Sequence, residues 1–336
     1  MKEPTILLDH GSGGLASQEL ISEVFVKHLG NPVLNDMEDS AVLAAQSGRL
    51  AFTTDSYVVD PLFFPGGDIG CLAVHGTIND LAMRGARPIC LSLGFILEEG
   101  FALAELTRIV SSISAATRAC EVPIVTGDTK VVPRGKADKV FINTSGIGVI
   151  DETIELSAGK VRPGDTIIVS GSIGDHGITI MTRRAGLSLG GDLHSDTMPL
   201  HRLTAHVLAA VPGAVHAMRD PTRGGVATTL NEIAARAGAT IVLEDELLPI
   251  RAEVRAACEI LGLEPLYLAN EGKCLAAVAG DQADAVVEAM RATTEGKEAR
   301  IIGRVEAGSA RVVINTPIGG SRIVTALHGE PLPRIC

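Results

Sequence analysis

Apolar residues change their spacing repeatedly along the chain. Leu50-Ala51-Phe52-Thr53-Thr54, Ile89-Cys90-Leu91-Ser92-Leu93, Val122-Pro123-Ile124-Val125 and Val140-Phe141-Ile142-Asn143 are short runs with β-branched content and predict strands. Between them, residues 69–82 and 103–119 place apolar side chains at helical spacing, as in Leu103, Leu106, Ile109, Val110 and Ile113. A further helix is expected over residues 17–29. An acidic turn, Asp151-Glu152, and the turn signature Arg162-Pro163-Gly164-Asp165 interrupt this alternation. Beyond them the mixture repeats, with strands expected at 166–170, 240–243, 275–279, 300–305 and 311–315 and helices at 203–210 and 226–237. The pattern predicts an α/β (α+β) chain in two parts, residues 1–155 and 156–325, followed by a tail over 326–336. Pro331 and Pro333, two positions apart, predict an extended, polyproline-like tail that ends in Cys336.

Composition narrows the classes of function. The 336 residues are 46% hydrophobic and 21% charged, enough for a buried core. Aromatics make up only 3% with no Trp, which leaves no platform for base stacking, and the formal charge of −11 repels a phosphate backbone. Nucleic acid is not an expected partner. No apolar run reaches the roughly 18 residues of a membrane span, and the apolar stretch Ile6-Leu7-Leu8 is shorter than the roughly 7–15 residues of a secretory signal. The cysteines form no CxxC pair, and most have apolar neighbours. A soluble, reduced, cytoplasmic protein is expected, with no membrane contact.

Aspartates gather at strand ends and just before helices: Asp39 in Met37-Glu38-Asp39-Ser40-Ala41, Asp55 in Thr53-Thr54-Asp55-Ser56, Asp80 in Thr77-Ile78-Asn79-Asp80-Leu81 and Asp128 in Gly127-Asp128-Thr129-Lys130. Each alone fits an ordinary turn or cap. Together at strand ends, where ligands of α/β sheets collect, they suit Mg²⁺ held on substrate phosphates. Glycine-rich turns follow the same logic: His10-Gly11-Ser12-Gly13-Gly14, Gly171-Ser172-Ile173-Gly174-Asp175-His176-Gly177, and Asp220-Pro221-Thr222-Arg223-Gly224-Gly225. They are either tight connections or anion cradles at helix starts. Glu271 and Lys273 beside a strand are solvated turn residues or, near phosphate, a general base and a charge stabiliser. Lys130, two residues after Asp128, is open to the same readings. Cys336 is either a frayed end or a thiol on a stiff arm that carries a covalent group between sites.

In order along the chain, His10–Gly14, Asp39-Ser40-Ala41, Thr53-Thr54-Asp55-Ser56, Gly76-Thr77-Ile78-Asn79-Asp80-Leu81-Ala82, Gly127-Asp128-Thr129-Lys130, Gly174-Asp175-His176-Gly177, Asp220–Gly225, Asn270-Glu271-Gly272 and the final Pro333-Arg334-Ile335-Cys336 resemble the HypE family of [NiFe]-hydrogenase maturation proteins, the carbamoyl dehydratases. That family lies in the aminoimidazole-ribonucleotide-synthetase-like, or PurM-like, ATP-binding superfamily. The resemblance implies an N-terminal domain that lends strands to a dimeric β-barrel, a second α/β domain, and use of ATP with Mg²⁺. It implies a homodimer that takes a carbamoyl group from HypF onto Cys336, dehydrates it to a thiocyanate, and delivers cyanide to iron on HypC–HypD. Asp39, Asp55, Asp80 and Asp128 are then expected to hold Mg²⁺. ATP is expected at His10, Gly11, Ser12, Gly13, Gly14, Asp55, Asp80, Asp128, Asp220 and Gly224. Glu271 is the expected base, Lys130 either stabilises the transferring phosphoryl or assists that deprotonation, and Cys336 is the carrier. The rivals are a small-molecule kinase or synthetase of the same superfamily and a non-catalytic ATP-binding scaffold.

Overall fold

The alternation of apolar and polar positions resolves into two sheets, one in each half of the chain. The computed structural model describes residues 4–187, 193–327, 329 and 334–336. The expected polyproline arm, Pro331 and Pro333, lies outside the described residues.

In the first half the strands are β1 (Arg49–Tyr57), a short hairpin of β2 (Phe63–Phe64) and β3 (Gly67–Asp68), β4 (Arg87–Glu98), β5 (Ile124–Val132) and β6 (Val140–Ile150). The main sheet runs β1-β6-β4-β5, with β4 and β5 parallel across the helix Leu103–Cys120 and the other neighbours antiparallel. These strands are longer than their apolar runs, because the polar alternates Thr53, Asp55, Asn143 and Ser145 continue the period of two. Strand β5 begins after Pro123, which has no N–H to donate and serves the ladder through its carbonyl, 2.9 Å from Leu91 N. The N-terminal helix spans residues 15–29, with a π-helical middle at Ile21–Val26.

The helices Ile69–Met83 and Leu103–Cys120 cover one face of this sheet. On the other face Leu50 and Phe52 are about 70% exposed (68% and 70%) and Ile96 is 43% exposed. Helix Ile69–Met83 is capped by Asp68, whose carboxylate accepts from Gly70 N at 2.8 Å and Cys71 N at 3.0 Å. It is buried on nearly every side, because the second half of the chain packs against what would be its solvent face.

The second sheet contains β7 (Asp165–Val169), β8 (Val215–Arg219), β9 (Thr240–Glu244), β10 (Leu275–Ala279), β11 (Arg300–Glu306), β12 (Arg311–Asn315) and β13 (Ser321–Val324), in the order β13-β12-β9-β11-β7-β10-β8. Its central strands are continuously apolar because both faces are covered. Ile167, Val169, Leu275 and Ala277 pack into a core with helix Gly225–Ala237, whereas Ile168, Ala276 and Val278 pack into one with helices His201–Ala210 and Ala283–Arg291. Among the described residues no helix is long and apolar enough to cross a membrane.

The chain end returns to the first half. Val58 N donates to the Cys336 carbonyl at 3.1 Å and Asp60 N to the Arg334 carbonyl at 3.2 Å, so Arg334–Cys336 is held by its backbone against the segment that leaves β1. Ile335 is 3% exposed and belongs to the first core.

Gly76 lets helix Ile69–Met83 approach β1. A Cβ there would run into the Tyr57 hydroxyl, and Tyr57 is itself fully buried and faces Thr77 Oγ1 at 3.4 Å. Gly76→Ala is expected to lower unfolding free energy by about 1–3 kcal/mol. Urea denaturation checks this; an unchanged midpoint would show that Tyr57 has room to yield.

Candidate active site

Asp55 and Asp80 approach each other because β1 turns alternate residues toward helix Ile69–Met83. Thr53, on the same face of β1 as Asp55, donates its hydroxyl to Asp80 Oδ2 at 2.8 Å. Asp220 follows the end of β8, and Glu271 precedes β10, the neighbour of β8. Asn270 ties these loops together. Its side chain accepts from Gly174 N at 2.7 Å and donates to the Pro221 carbonyl at 3.0 Å, and its backbone N–H donates to that same carbonyl at 3.1 Å. The turn at Gly174, where φ is +89°, and the Asp220-Pro221 turn are thereby fixed against the residue before Glu271.

The four carboxylates form one electrostatic cluster. Burial holds the Asp80 carboxyl above its ordinary value; the Thr53 hydrogen bond opposes this, Asp55 adds to it and Arg219 opposes it. Burial, reinforced by Asp80, pushes Asp220 up to about 7. Glu271 is 3% exposed and its carboxyl is held well above its ordinary value, first by burial, then by Asp196, Asp220 and Asp55, with Arg223 pulling the other way. Its Oε1 has no hydrogen-bond partner among the described residues. A cavity of about 460 Å³ opens beside them between the two halves, bordered by Thr53, Asp80, Arg219, Asp220, Thr222 and Arg223. Glu271 and Lys273 are therefore not solvated turn residues. Lys273 is 6% exposed, and its Nζ lies 3.2 Å from Asp196 Oδ2.

Asp128 and Lys130 stand elsewhere. They lie on β5, at the opposite edge of the sheet from β1, three strand spacings or about 14 Å away. Both are exposed and joined by a 2.9 Å ion pair, which draws the Asp128 carboxyl below its usual range. They border a second cavity, of about 240 Å³, with His10, Gly11 and Gly13 at its rim and Phe25, Leu93 and Phe95 among its apolar walls. Gly11 is required there, because a Cβ would meet the backbone nitrogen of Val131. Ser17 fixes the turn, accepting from Gly13 N at 2.9 Å and donating to the His10 carbonyl at 2.8 Å. Ser12 and Gly14 are exposed on it. Gly224, at φ +77°, opens helix Gly225–Ala237. Asp39 sits exposed in a bend. Among the described residues no group of three or more His, Cys, Asp or Glu side chains is close enough to hold a metal ion.

Cys336 is not a frayed end. Beyond the backbone pairing with Val58 and Asp60, Arg334 donates from Nε to the Val58 carbonyl at 3.0 Å and pairs with Asp138, while Arg184 donates to the Arg334 carbonyl. Val58 is three residues beyond Asp55, about 10 Å along the strand. The tail thus seats the thiol-bearing residue at the end of the strand that carries one of the cleft carboxylates. Asp138, Arg184 and His176 make this seat, and nothing in their sequence spacing indicates it.

With both clefts and the tail in place, the likeness to known proteins is specific. Residues 37–150 match the N-terminal and residues 162–315 the C-terminal domain of AIR synthase related protein. The carbamoyl dehydratase HypE of Azotobacter vinelandii is 54% identical over all of this chain and 98% of its own length. The chain belongs to the HypE family. A crystal structure of the hydrogenase maturation protein HypE in complex with ATP superposes with a TM-score of 0.95 at 50% identity, covering 99% of this chain and 100% of that one. HypE in a HypE–HypF complex superposes with a TM-score of 0.81 at 46% identity, over 92% and 99% of the two chains. The expected two-domain PurM-like architecture is thereby established, and with it the mixed helix and sheet class.

The raised Asp220 has a consequence for stability. A carboxyl bound to its proton more tightly when folded stabilises the fold at low pH, and that contribution is lost as pH rises from about 4 through about 7. Asp220→Asn is expected to equal the native chain in stability near pH 4 and to exceed it by on the order of 1–3 kcal/mol at pH 8 without nucleotide. Urea unfolding at the two pH values measures this; a variant less stable at pH 8 would contradict it.

Proposed function

We propose that this chain uses ATP to dehydrate an S-carbamoyl group carried on its own Cys336, yielding a thiocyanate, ADP and phosphate. The observation that carries this reading is the seating of Arg334–Cys336 on Val58–Asp60, just beyond the end of the strand that bears Asp55. A frayed terminus has no use for such a seat. The names of the relatives, the ATP complex and the HypF complex support the same activity and HypF as the carbamoyl donor. Delivery of cyanide to iron on HypC–HypD is part of the proposal.

An amide does not lose hydroxide at neutral pH, so its oxygen must first become a better leaving group. The carbamoyl oxygen attacks the γ-phosphorus of ATP, the bond to ADP breaks, and the nitrogen gives up a proton. Loss of a second proton from nitrogen expels phosphate and forms the C≡N bond. Glu271 is the proposed base. Its raised affinity for protons makes it a strong acceptor once ionised, and its unpartnered Oε1 is available for the N–H. Lys130 is proposed to stabilise the nucleotide phosphates at the mouth of the apolar cavity, across the sheet from the Asp55–Asp80 cleft, with the His10–Gly14 turn closing over them to keep water out; Asp128 would meet phosphate only through a cation. Asp220 and Gly224 complete the site from the second domain.

Mg²⁺ fits the donor chemistry: Asp55 and Asp80 are hard oxygen ligands in a crowded carboxylate cleft that a cation would relieve, whereas Asp39 and Asp128 lie apart from that cleft on this chain. Bound there, the ion supplies charge neutralisation for phosphoryl transfer. The exposed sheet face bearing Leu50, Phe52 and Ile96 is the proposed homodimer surface, the half of a barrel that a second copy would complete.

Intact-mass analysis tests the activity. After HypF with carbamoyl phosphate and ATP, the tail peptide is expected to gain one carbamoyl group, and on further incubation with ATP to lose one water. Cys336→Ala should do neither. A Cys336→Ala chain that still spends ATP on a small molecule would show a kinase instead. Glu271→Gln is expected to keep ATP binding while slowing the loss of water by about 10²–10⁴-fold; an unaltered rate removes Glu271 as base.

A further inference from the structure

The seat of the tail continues inward as an ordered run of hydrogen bonds. The Ile335 carbonyl oxygen is 2.7 Å from Nε2 of His176. A carbonyl only accepts, so Nε2 carries the proton. His176 is fully buried, and burial keeps its imidazole below its ordinary value and neutral. Nδ1 is then an acceptor, and the group 2.7 Å from it is the Ser195 hydroxyl, which donates. That hydroxyl oxygen in turn accepts the Thr197 N–H at 3.2 Å. Every donor points the same way, from Thr197 through Ser195 and His176 to Ile335, and aligned bonds of this kind polarise one another.

Ser195 belongs to an extended segment, residues 194–200, that lies between the two halves of the chain. Ser195 N donates to the Pro65 carbonyl at 2.8 Å. Asp196 accepts the Glu271 N–H at 3.0 Å and pairs with the buried Lys273. Asn79 accepts from Leu200 N at 2.7 Å and donates to the carbonyls of Met198 at 3.1 Å and Glu271 at 3.3 Å. The segment is pressed flat against the Glu271-Gly272 turn: a Cβ on Gly272 would fall 1.9 Å from the Asp196 carbonyl oxygen. One short stretch therefore grips the tail at one end, through His176, and the candidate base at the other, through Asp196.

We infer that His176 and Ser195 are positioning residues that couple seating of the Arg334–Cys336 tail to placement of the Glu271 turn. When the tail is seated the turn is held; when it leaves, the His176 donor loses its acceptor and the segment slackens. Glu271 is then fully set only when Cys336 is docked, which keeps ATP from being spent on water while the thiol is away. The catalytic meaning rests on the function proposed above; the coupling itself does not.

Amide hydrogen exchange on the full chain, read by mass spectrometry, tests the coupling. A chain lacking Arg334–Cys336 must exchange faster at Val58 and Asp60, which donate directly to the tail, and this is its internal control. It is expected to exchange about tenfold faster also at Thr197 and Glu271, the factor that one net hydrogen bond is worth. Ser195→Ala should produce the same acceleration with the tail present, and removing the tail from Ser195→Ala should then add nothing at Glu271. Faster exchange confined to Val58 and Asp60 overturns the proposal. Should the dehydratase reading alone be wrong, the exchange pattern stands while no water is lost from the carbamoylated native chain. Should both hold, Ser195→Ala loses water more slowly at unchanged ATP affinity, and Ser195→Thr, which keeps the hydroxyl, recovers the rate.

Discussion

Asp55, Asp80, Asp220 and Glu271 crowd one another across the cleft between two sheets, and burial, deepest at Glu271, raises the cost of charge on Asp80, Asp220 and Glu271. What opposes this is local: the Thr53 hydroxyl on Asp80, Arg219 near Asp80 and Asp220, and Arg223 near Glu271. The frame that enforces the crowding is correspondingly stiff. Helix Ile69–Met83 is packed on nearly all sides, and Asn270 pins the Gly174 and Asp220-Pro221 turns to the residue before Glu271. A carboxylate cleft crowded in this way suits a divalent cation, which in the proposed reaction would accompany the nucleotide.

In the proposed reaction the tail supplies the other reactant. Its attachment is modest, a few backbone and arginine hydrogen bonds and one buried isoleucine, worth about 1.5–3 kcal/mol for the side chain. A segment so held can dock, present its thiol and leave, which a carrier requires. The direction of the bonds from Thr197 to Ile335 ties that docking to the turn bearing Glu271, so the weak attachment has an effect deeper in the site.

Much of this is legible in the sequence. Strand-end aspartates and glycine turns marked Asp55, Asp80, Asp220 and Gly224, and the strand and helix periods located most elements of both sheets. Helices Ala252–Leu261 and Ala283–Arg291 were missed because alanine lines part of their buried faces and blurs the contrast between apolar and polar positions. The separation of Asp128 and Lys130 from Asp55 depends on strand order, which local pattern does not encode. Glu271 and Lys273 stayed ambiguous until segment 194–200, distant in sequence, was seen to cover them. His176 and Asp138 were silent for the same reason: each acts on the tail, more than 150 residues away for both (|i−j| of 159 and 196).

The proposed reaction turns on the fate of one oxygen atom. With ¹⁸O in the carbamoyl group on Cys336, turnover with unlabelled ATP in ordinary water should place the label in inorganic phosphate, detected by its isotope shift in phosphorus resonance or by mass. Label released into water, with phosphate unlabelled, would mean that ATP is not spent on the carbamoyl oxygen and would contradict the central claim.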